Sequence, residues 1–313
     1  MNKIACSFFY TDDRYELLAN IAISSFKTFH PDIDVFIFNK AIIDQELVLD
    51  YTAGYCKFFY ARTLFDKGYD KVISLGVDTI TCGKLDEFLN NNEDVLTSLD
   101  FNYAITFNGI HIPADKHINA DVVCFNNKEI IDECLLLMKE YPNEYFEQGA
   151  LNQILVFDNI KYTSKIVDKN AEVVYNNRLY EIDPLKSIWG YHKTYPYNFK
   201  IENNNLISPT NKIIKIIHLV RGFGCLNKDQ FIREVNLCKT TIFNEQTKNF
   251  LISICGINEN WFTEKMKPED WPNDLILNLK KVPSGFPSGR KLNFNKHLDI
   301  SSYLNEKLKK GIY

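Results

Sequence analysis

The sequence lacks the features that mark membrane-spanning, disulfide-rich and nucleic-acid-binding proteins. It contains no apolar run of about 18 residues, the length that a transmembrane helix requires. Its eight cysteines form no C-x-x-C pair, and most lie in apolar segments such as VVCF and LISIC, as buried thiols in a reducing compartment do. The formal net charge of -4 argues against the concentrated basic surface that general nucleic-acid binding needs, so no nucleic-acid partner is expected.

Two further absences concern processing and repetition. The apolar run near Met1 is too short for a signal h-region and soon reaches Asp12 and Asp13, so we expect no secretion signal and a cytoplasmic protein. No internal repeat is present. Apolar residues make up 45% of the chain, with 23 Phe and 17 Tyr, which is enough to build a sizeable core and to exclude global disorder.

Alternating strand and helix patterns predict an α/β fold, with a mixed, mostly parallel sheet flanked by helices. Right-handed crossovers are expected between its parallel strands. Strands are predicted over residues 3–9, 34–39, 71–75, 94–99, 122–127 and 212–219, and helices over 13–28, 51–67, 128–140 and 148–156. Residues 176–212 are rich in Tyr, Asn and Pro, which favours irregular loops.

The length of 313 residues predicts one large catalytic domain, residues 1–225, and a helical or irregular basic extension, residues 226–313. From Lys265 onward the chain holds ten Lys or Arg against five Asp or Glu. A solvated surface segment is one interpretation of this tail. Peripheral contact with an anionic membrane face, at the inner membrane, is the other.

Asp78 follows directly from a short apolar strand in the segment KVISLGVDTITCGKLDEFL. Ligands of open α/β sheets collect beyond the carboxyl ends of the strands, so an acid at this place is positioned to meet a phosphate-bound cation. A helix-capping aspartate is the alternative interpretation.

Five segments carry a family resemblance: TDDRY, YAR followed by LGVDT, INADVVCF, YFEQGALN and IIHLVRG. Their order and spacing resemble the GT-A nucleotide-sugar glycosyltransferases, most closely family 8, which includes lipopolysaccharide galactosyltransferases and glycogenin. The resemblance covers roughly residues 1–225 and implies a GT-A, Rossmann-like sheet. It also implies a nucleotide-sugar donor, a UDP-sugar, and a glycan or lipid-linked acceptor.

The resemblance places Thr11, Asp12 and Tyr15 around the uracil base of the donor. A carboxylate can accept the imide N–H of uracil, and an aromatic ring can stack on its face. Capping of the next helix by Asp12 and Asp13 is the alternative. Arg62 matches an arginine that braces the donor and the metal-site acid, although an arginine on a helix is also a common surface charge.

The same resemblance places Asn119 and Ala120 near the donor sugar, and Asp121 stands where a glycine is more usual. The D-x-D metal motif of the family reads Gly76-Val77-Asp78 here, so its first acid is missing. Val77 falls among the donor-binding residues.

Asp78 and His218 match the metal ligands of the family, for Mn²⁺ or Mg²⁺. Loss of one carboxylate should weaken binding of the free metal and make it depend more on the nucleotide. A histidine satisfied at a strand end is the other interpretation of His218. Arg221 and Gly222 lie where members of the family bind the donor diphosphate. In this interpretation Arg221 takes the role of the lysine that those proteins usually have there.

Glu147 and Gln148 match the acidic-or-amide pair beneath the donor sugar, where they would position it and stabilise positive charge at its anomeric carbon. The resemblance implies retention of configuration, without assigning a nucleophile. A pair in the first turn of a helix, favoured by the helix dipole, is the alternative. Acceptor contacts are expected from residues 103–117 and 176–212, where four aromatic side chains can stack on sugars or lie in the core: Tyr180, Trp189, Tyr191 and Tyr195.

Two other functions compete with sugar transfer. The missing acid at position 76 and the missing lysine near position 224 favour an impaired protein of this fold that binds a nucleotide sugar or glycan. A nucleotidyltransferase would need a glycine-rich, lysine-bearing loop after the first strand, which YTDDRY lacks.

Overall fold

The computed structural model describes most of the first 218 residues and one later helix. The described ranges are 2–10, 15–39, 53–100, 105–107, 110–113, 115–141, 145–158, 161–169, 173–175, 177–178, 199–208, 211–218 and 244–256.

Six α-helices lie in the described part of the chain: α1 (Glu16–Phe29), α2 (Ala53–Asp66), α3 (Asp86–Asn90), α4 (Lys128–Glu140), α5 (Glu147–Asn152) and α6 (Glu245–Cys255). A π-helical segment, Gln153–Asp158, continues α5. The strands are β1 (Ile4–Phe9), β2 (Asp34–Phe38), β3 (Lys71–Leu75), β4 (Thr79–Thr81), β5 (Val95–Leu99), β6 (Ile105–Phe107), β7 (Ile110–Ile112), β8 (Ile118–Phe125), β9 (Ser164–Ile166), β10 (Val173–Val174), β11 (Asn177–Arg178), β12 (Lys200–Glu202), β13 (Asn205–Ile207), β14 (Ile213–Ile214) and β15 (Ile216–His218).

The main sheet has six strands in the order β2-β1-β3-β8-β5-β9. β8 is antiparallel to both of its neighbours, and the other pairs of adjacent strands are parallel. The prediction of a mixed, mostly parallel sheet is therefore confirmed. Because β8 runs in the opposite direction, its first residues lie at the same edge as the carboxyl ends of β3 and β5.

Alternating side chains along the strands give the sheet two buried faces. Val72 of β3 and Val123 of β8 belong to a hydrophobic cluster with α2 and α4. Ile73 follows Val72 on β3, and Val122 precedes Val123 on β8. Both belong to a second hydrophobic cluster, which includes residues of α1. Because successive strand residues point to opposite faces, the two helical layers cover both sides of the sheet. This is the helix-flanked arrangement that the sequence predicts.

The loop interpretation of residues 176–212 is wrong where the structure describes them. β12 and β13 form an antiparallel hairpin, and Asn203 and Asn204 at its turn have φ angles of 49° and 60°. Asparagine tolerates this left-handed region better than most residues, so the local signal for the hairpin is the run of three asparagines after Glu202. The strand predicted over 212–219 is divided into β14 and β15.

The described part of the C-terminal extension packs against the N-terminal half of the chain. Leu251 and Ile254 of α6 share a hydrophobic cluster with Leu18 and Ile21 of α1. The hydroxyl of Thr28 also donates a 2.8 Å hydrogen bond to the carbonyl of Ile254. The division of the chain at residue 225 stays a prediction, and the basic segment from Lys265 onward lies outside the described residues.

Two expectations from composition concern the thiols and the membrane. The six cysteines in the described ranges are buried thiols: Cys6, Cys56, Cys82, Cys124, Cys134 and Cys255. Within the same ranges, no helix combines the length and apolar character needed to cross a bilayer.

Candidate active site

A turn after β3 presents Asp78 at the edge of the sheet. The carbonyl of Gly76 accepts hydrogen bonds from the backbone N–H of Thr79, at 3.2 Å, and from its hydroxyl, at 2.7 Å. The N–H of Gly76 donates to the carbonyl of Asp121 at 2.8 Å, which joins the turn to β8. Asp78 therefore lies on a turn held at both ends, with its side chain mostly buried.

Pairing of β4 with β15 brings His218 to the same place. The two strands are antiparallel, and His218 lies opposite Thr79, the residue after Asp78. The His218 Nε2 atom is 3.3 Å from the Asp78 Oδ1 atom, and the imidazole is 1% exposed. The structure thus brings together the two residues predicted to bind the metal.

Asp121 and Lys57 complete this cluster of charged side chains. The Oδ2 atom of Asp121 is 3.8 Å from His218 Nε2, and its Oδ1 atom pairs with the ammonium of Lys57. Lys57 also donates a 2.8 Å hydrogen bond to the carbonyl of Ala120. Lys57 was not predicted as a site residue, and its only local signal is a cation within the buried aromatic segment YCKFFY of α2.

A second group of polar side chains lies where β5, β8 and α5 meet. Asn119 donates to Asp100 Oδ1 at 2.7 Å, and Gln148 donates to Asp100 Oδ2 at 3.0 Å. The Gln148 Oε1 atom accepts from the N–H of Ala120 at 3.4 Å, and Gln148 Nε2 lies 3.4 Å from His117 Nε2. The predicted residues Asn119, Ala120 and Gln148 therefore meet in one network. Sequence reasoning missed Asp100, and it covered His117 only as the last residue of the expected acceptor segment 103–117.

Glu147 lies at the first position of α5, against the start of α2. Burial raises the pKa of the Glu147 carboxyl above its ordinary value. The nearby Lys57 ammonium opposes this shift, and the Asp121 carboxylate adds to it. An ideal Cβ at Gly54 would lie 1.6 Å from Glu147 Oε2, so the carboxylate occupies the space that a side chain at position 54 would need. Glu147 therefore belongs to the same electrostatic group as Lys57 and Asp121.

Arg62 lies elsewhere on α2. Its guanidinium donates to Asp132 of α4 at 2.7 Å and pairs with Asp66 one turn further along α2. The structure brings Arg62 together with these two acids and not with Asp78, and Lys57 is the α2 cation beside the site. These contacts give no support to the donor role predicted for Arg62.

The remaining predicted residues fall into two groups. Tyr15 is partly buried against two hydrophobic clusters, and Val77 is buried in one of them. The other predicted residues lie outside the described ranges: Thr11, Asp12, Arg221, Gly222 and the four aromatic residues Tyr180, Trp189, Tyr191 and Tyr195.

The donor set at Asp78 has the chemistry of a Mn²⁺ or Mg²⁺ site that a ligand would complete. Carboxylate oxygens and one imidazole suit these ions. Across the described ranges, no three or more His, Cys, Asp or Glu side chains are spaced to hold an ion by themselves. The residues therefore fit an ion that takes further oxygens from a bound diphosphate and from water.

Comparison with known proteins finds likeness among solved structures only. No family model and no curated protein matches the chain. The bifunctional glycosyltransferase WbbM is 15% identical with a TM-score of 0.42, over 74% of this chain and 49% of WbbM. The galactosyltransferase LgtC, solved with donor and acceptor sugar analogues, is 14% identical with a TM-score of 0.41, over 82% of this chain and 98% of LgtC.

The glycosyltransferase GlyE of Streptococcus pneumoniae TIGR4 is 17% identical with a TM-score of 0.35, over 52% of this chain and 46% of GlyE. This chain thus spans about half the length of WbbM and of GlyE. All three structures are glycosyltransferases by name. At these identities and TM-scores the likeness carries no argument about activity.

Proposed function

We propose that the protein is a metal-dependent glycosyltransferase that moves a sugar from a nucleoside diphosphate sugar to a hydroxyl acceptor. The donor is a UDP-sugar, and the acceptor is a glycan or a lipid-linked glycan. The observation that supports this proposal is the contact of Asp78 with His218 beyond the carboxyl end of β3, where α/β sheets bind phosphates. The network of Asp100, Asn119 and Gln148 beside it offers hydrogen bonds to sugar hydroxyls.

Asp78 and His218 would hold Mn²⁺ or Mg²⁺ together with the donor diphosphate. When bound, such an ion supplies Lewis-acid stabilisation of the negative charge that develops on the leaving diphosphate. Arg221 and Gly222 are proposed to contact the same diphosphate. The half-buried Glu147 and its neighbour Gln148 would orient the sugar and stabilise positive charge at its anomeric carbon. Configuration at that carbon is proposed to be retained.

The first test is binding of UDP to the native chain and to Asp78→Ala, with and without Mn²⁺, by titration calorimetry. We expect UDP to bind the native chain more tightly with Mn²⁺, and Asp78→Ala to remove this difference, because the variant loses the carboxylate closest to His218. Asp86→Ala, which changes a more exposed carboxylate on α3, is the matched control. Absence of UDP binding to the native chain under both conditions would contradict the UDP assignment.

A second test concerns the chemical step. Glu147→Gln removes the negative charge while it keeps the size of the side chain. We expect turnover of a UDP-sugar to fall on the order of 100-fold, as when one preorganised electrostatic group is removed from an active site. UDP affinity should stay near that of the native chain. Glu140→Gln, at the exposed end of α4, is the control, and native turnover by Glu147→Gln would remove Glu147 from the chemistry.

One observation favours a second candidate function. Glycine replaces the first acid of the D-x-D motif at position 76, so an impaired protein that binds a nucleotide sugar or a glycan remains the alternative. A screen of UDP-sugars for hydrolysis and transfer separates the two functions. Metal-dependent UDP binding without turnover of any donor would favour the binding protein. Peripheral membrane contact through the basic C-terminal segment stays a separate proposal.

A further inference from the structure

We propose that Asn152 is a positioning residue for the proposed sugar-binding pair, Glu147 and Gln148. Its amide binds the backbone of Ile118 at the start of β8, and this contact fixes where α5 presents the pair. The inference rests on the proposed function, because it names the support of the side chains that would orient the donor sugar. Asn152 itself is 1% exposed and is not expected to touch a ligand.

α5 is too short to hold its own position. It has six residues, and Phe146 at its N-cap makes no side-chain cap hydrogen bond. The π-helical segment Gln153–Asp158 follows at once, so the α-helical hydrogen-bond pattern ends at Asn152. Helices shorter than about 12 residues are marginal by themselves in water. The position of α5 along β8 therefore depends on directional tertiary contacts.

The Asn152 amide takes the place of a neighbouring strand. The pairing of β3 with β8 covers residues 122–125, so Ile118 lies beyond the end of β3. The Oδ1 atom of Asn152 accepts from the N–H of Ile118 at 3.1 Å, and its Nδ2 atom donates to the carbonyl of Ile118 at 2.9 Å. The same Nδ2 atom donates to the carbonyl of Gln148 at 2.9 Å. One buried side chain thus joins the strand to the helical turn that carries the pair.

The spacing of the two elements lets this contact set a second one. Gln148 and Asn152 are four residues apart on a helix, which is about 6.0 Å along its axis. Ile118 and Ala120 are two residues apart on a strand, which is about 6.6–6.8 Å. With Asn152 held at Ile118, the Oε1 atom of the glutamine comes opposite Ala120, whose N–H it meets at 3.4 Å. The register of α5 on β8 is therefore set by Asn152.

This arrangement leaves Gln148 able to bind a ligand. Its Oε1 atom lies 3.4 Å from the Ala120 nitrogen and 3.4 Å from Asn119 Nδ2, distances at the weak end of hydrogen bonding. The three hydrogen bonds of Asn152 are 2.9–3.1 Å long. The shorter bonds hold the helix, and the longer ones can be exchanged for bonds to a sugar hydroxyl.

The test compares Asn152→Ala with Asn126→Ala, a matched control. Asn126 follows the last residue of β8, at the opposite end of the strand from Ile118. Its Nδ2 atom donates to the carbonyls of Asn91 and Glu93, at 3.3 and 2.6 Å, so it also joins a strand end to nearby backbone. Thermal unfolding establishes that each variant is folded.

Kinetics and binding separate positioning from a merely structural role. Turnover is measured with UDP-glucose and UDP-galactose, and binding with UDP and Mn²⁺. We expect kcat to fall on the order of 10-fold to 100-fold in Asn152→Ala, because displacing a catalytic group by about 1 Å has an effect of this size. Affinity for UDP with Mn²⁺ should stay near that of the native chain. An equal fall in UDP affinity, or an equal loss of turnover in Asn126→Ala, would overturn the positioning role.

Asn152→Asp keeps the size of the side chain and makes its contacts depend on pH. A protonated carboxyl has a donor and acceptors, as the amide does, whereas an ionised carboxylate has no donor. Burial raises the pKa of such a carboxyl. We therefore expect the turnover of Asn152→Asp, relative to the native chain at the same pH, to rise as the pH is lowered. Native turnover by this variant at alkaline pH would contradict the inference.

Hydrogen–deuterium exchange reads the position of α5 without a substrate. We expect the amides of residues 145–152 to exchange on the order of 10-fold faster in Asn152→Ala, because α5 loses its bonds to β8. Asn126→Ala should exchange like the native chain in this segment. Native exchange of this segment in Asn152→Ala would overturn the inference. This measurement still decides the role of Asn152 if the native chain shows no Mn²⁺-dependent UDP binding, the outcome that contradicts the proposed function.

Discussion

Replacing Gly54 with alanine is expected to disable sugar transfer without a direct change to any charged residue. The new Cβ atom would lie 1.6 Å from Glu147 Oε2 and 2.4 Å from Glu147 Cδ. Gly54 is the second residue of α2, whose backbone is packed against the sheet, so the carboxylate must leave its position. Misplacing a catalytic group by about 1 Å costs on the order of 100-fold in rate, and we expect a fall in kcat/KM of this size.

Gly83→Ala is the control for this substitution. Its Cβ atom would meet only the Lys215 Cδ atom, at 3.4 Å, which is an ordinary van der Waals contact. The displaced atoms are the far end of the flexible Glu147 side chain, so we expect little change in stability, which thermal unfolding of the variant checks. A folded Gly54→Ala enzyme with the turnover of the native chain would show that Glu147 need not occupy its observed position.

Lys57→Met is expected to have the largest effect on stability among single substitutions at the site. It leaves the carbonyl of Ala120 without its 2.8 Å hydrogen bond and Asp121 without its ion pair. Breaking a fully buried ion pair by removing one partner costs about 3–5 kcal/mol. The Asp121 side chain is 37% exposed, and water therefore screens part of the lost attraction. We expect the free energy of unfolding to fall by about 1–3 kcal/mol.

Urea denaturation at neutral pH measures this loss, and Lys128→Met provides the comparison. The Lys128 side chain is 50% exposed, and its ammonium is 4.0 Å from Asp66, so its loss should change stability by less than about 0.5 kcal/mol. Equal stability of the two variants would show that the contacts of the buried Lys57 ammonium contribute nothing measurable to the fold.

Residue patterning alone predicts the layers of this fold. The alternating strand and helix segments indicate an α/β sheet, and β3 and α4 have the predicted bounds. The direction of β8 could not be predicted in this way. Alternation of apolar residues marks a strand without giving its direction, and only pairing with β3 and β5 makes it antiparallel. That reversal places Asn119 and Asp121 at the edge that holds Asp78.

The choice between Lys57 and Arg62 also required the tertiary structure. Residues 55–64 of α2 are all buried, so no polar face in the sequence shows which cation points toward the sheet. Packing against α4 gives Arg62 the partner Asp132, in addition to Asp66 on its own helix, and it leaves Lys57 beside Ala120 and Asp121. Asp100 was missed, and His117 was not singled out within the segment 103–117, for a related reason, because single polar residues near strand ends carry no pattern.

The sequence by itself determined the residues available for chemistry: an acid after β3, a histidine at the end of a later strand, and an acid-amide pair at the start of a helix. The tertiary structure decided which of them meet. Pairing of β4 with β15 places His218 beside Asp78, and pairing of β3 with β8 brings Asp121 to the same edge of the sheet. Such contacts join residues that are distant in the chain, and they depend on strand register and excluded volume, which local sequence does not encode.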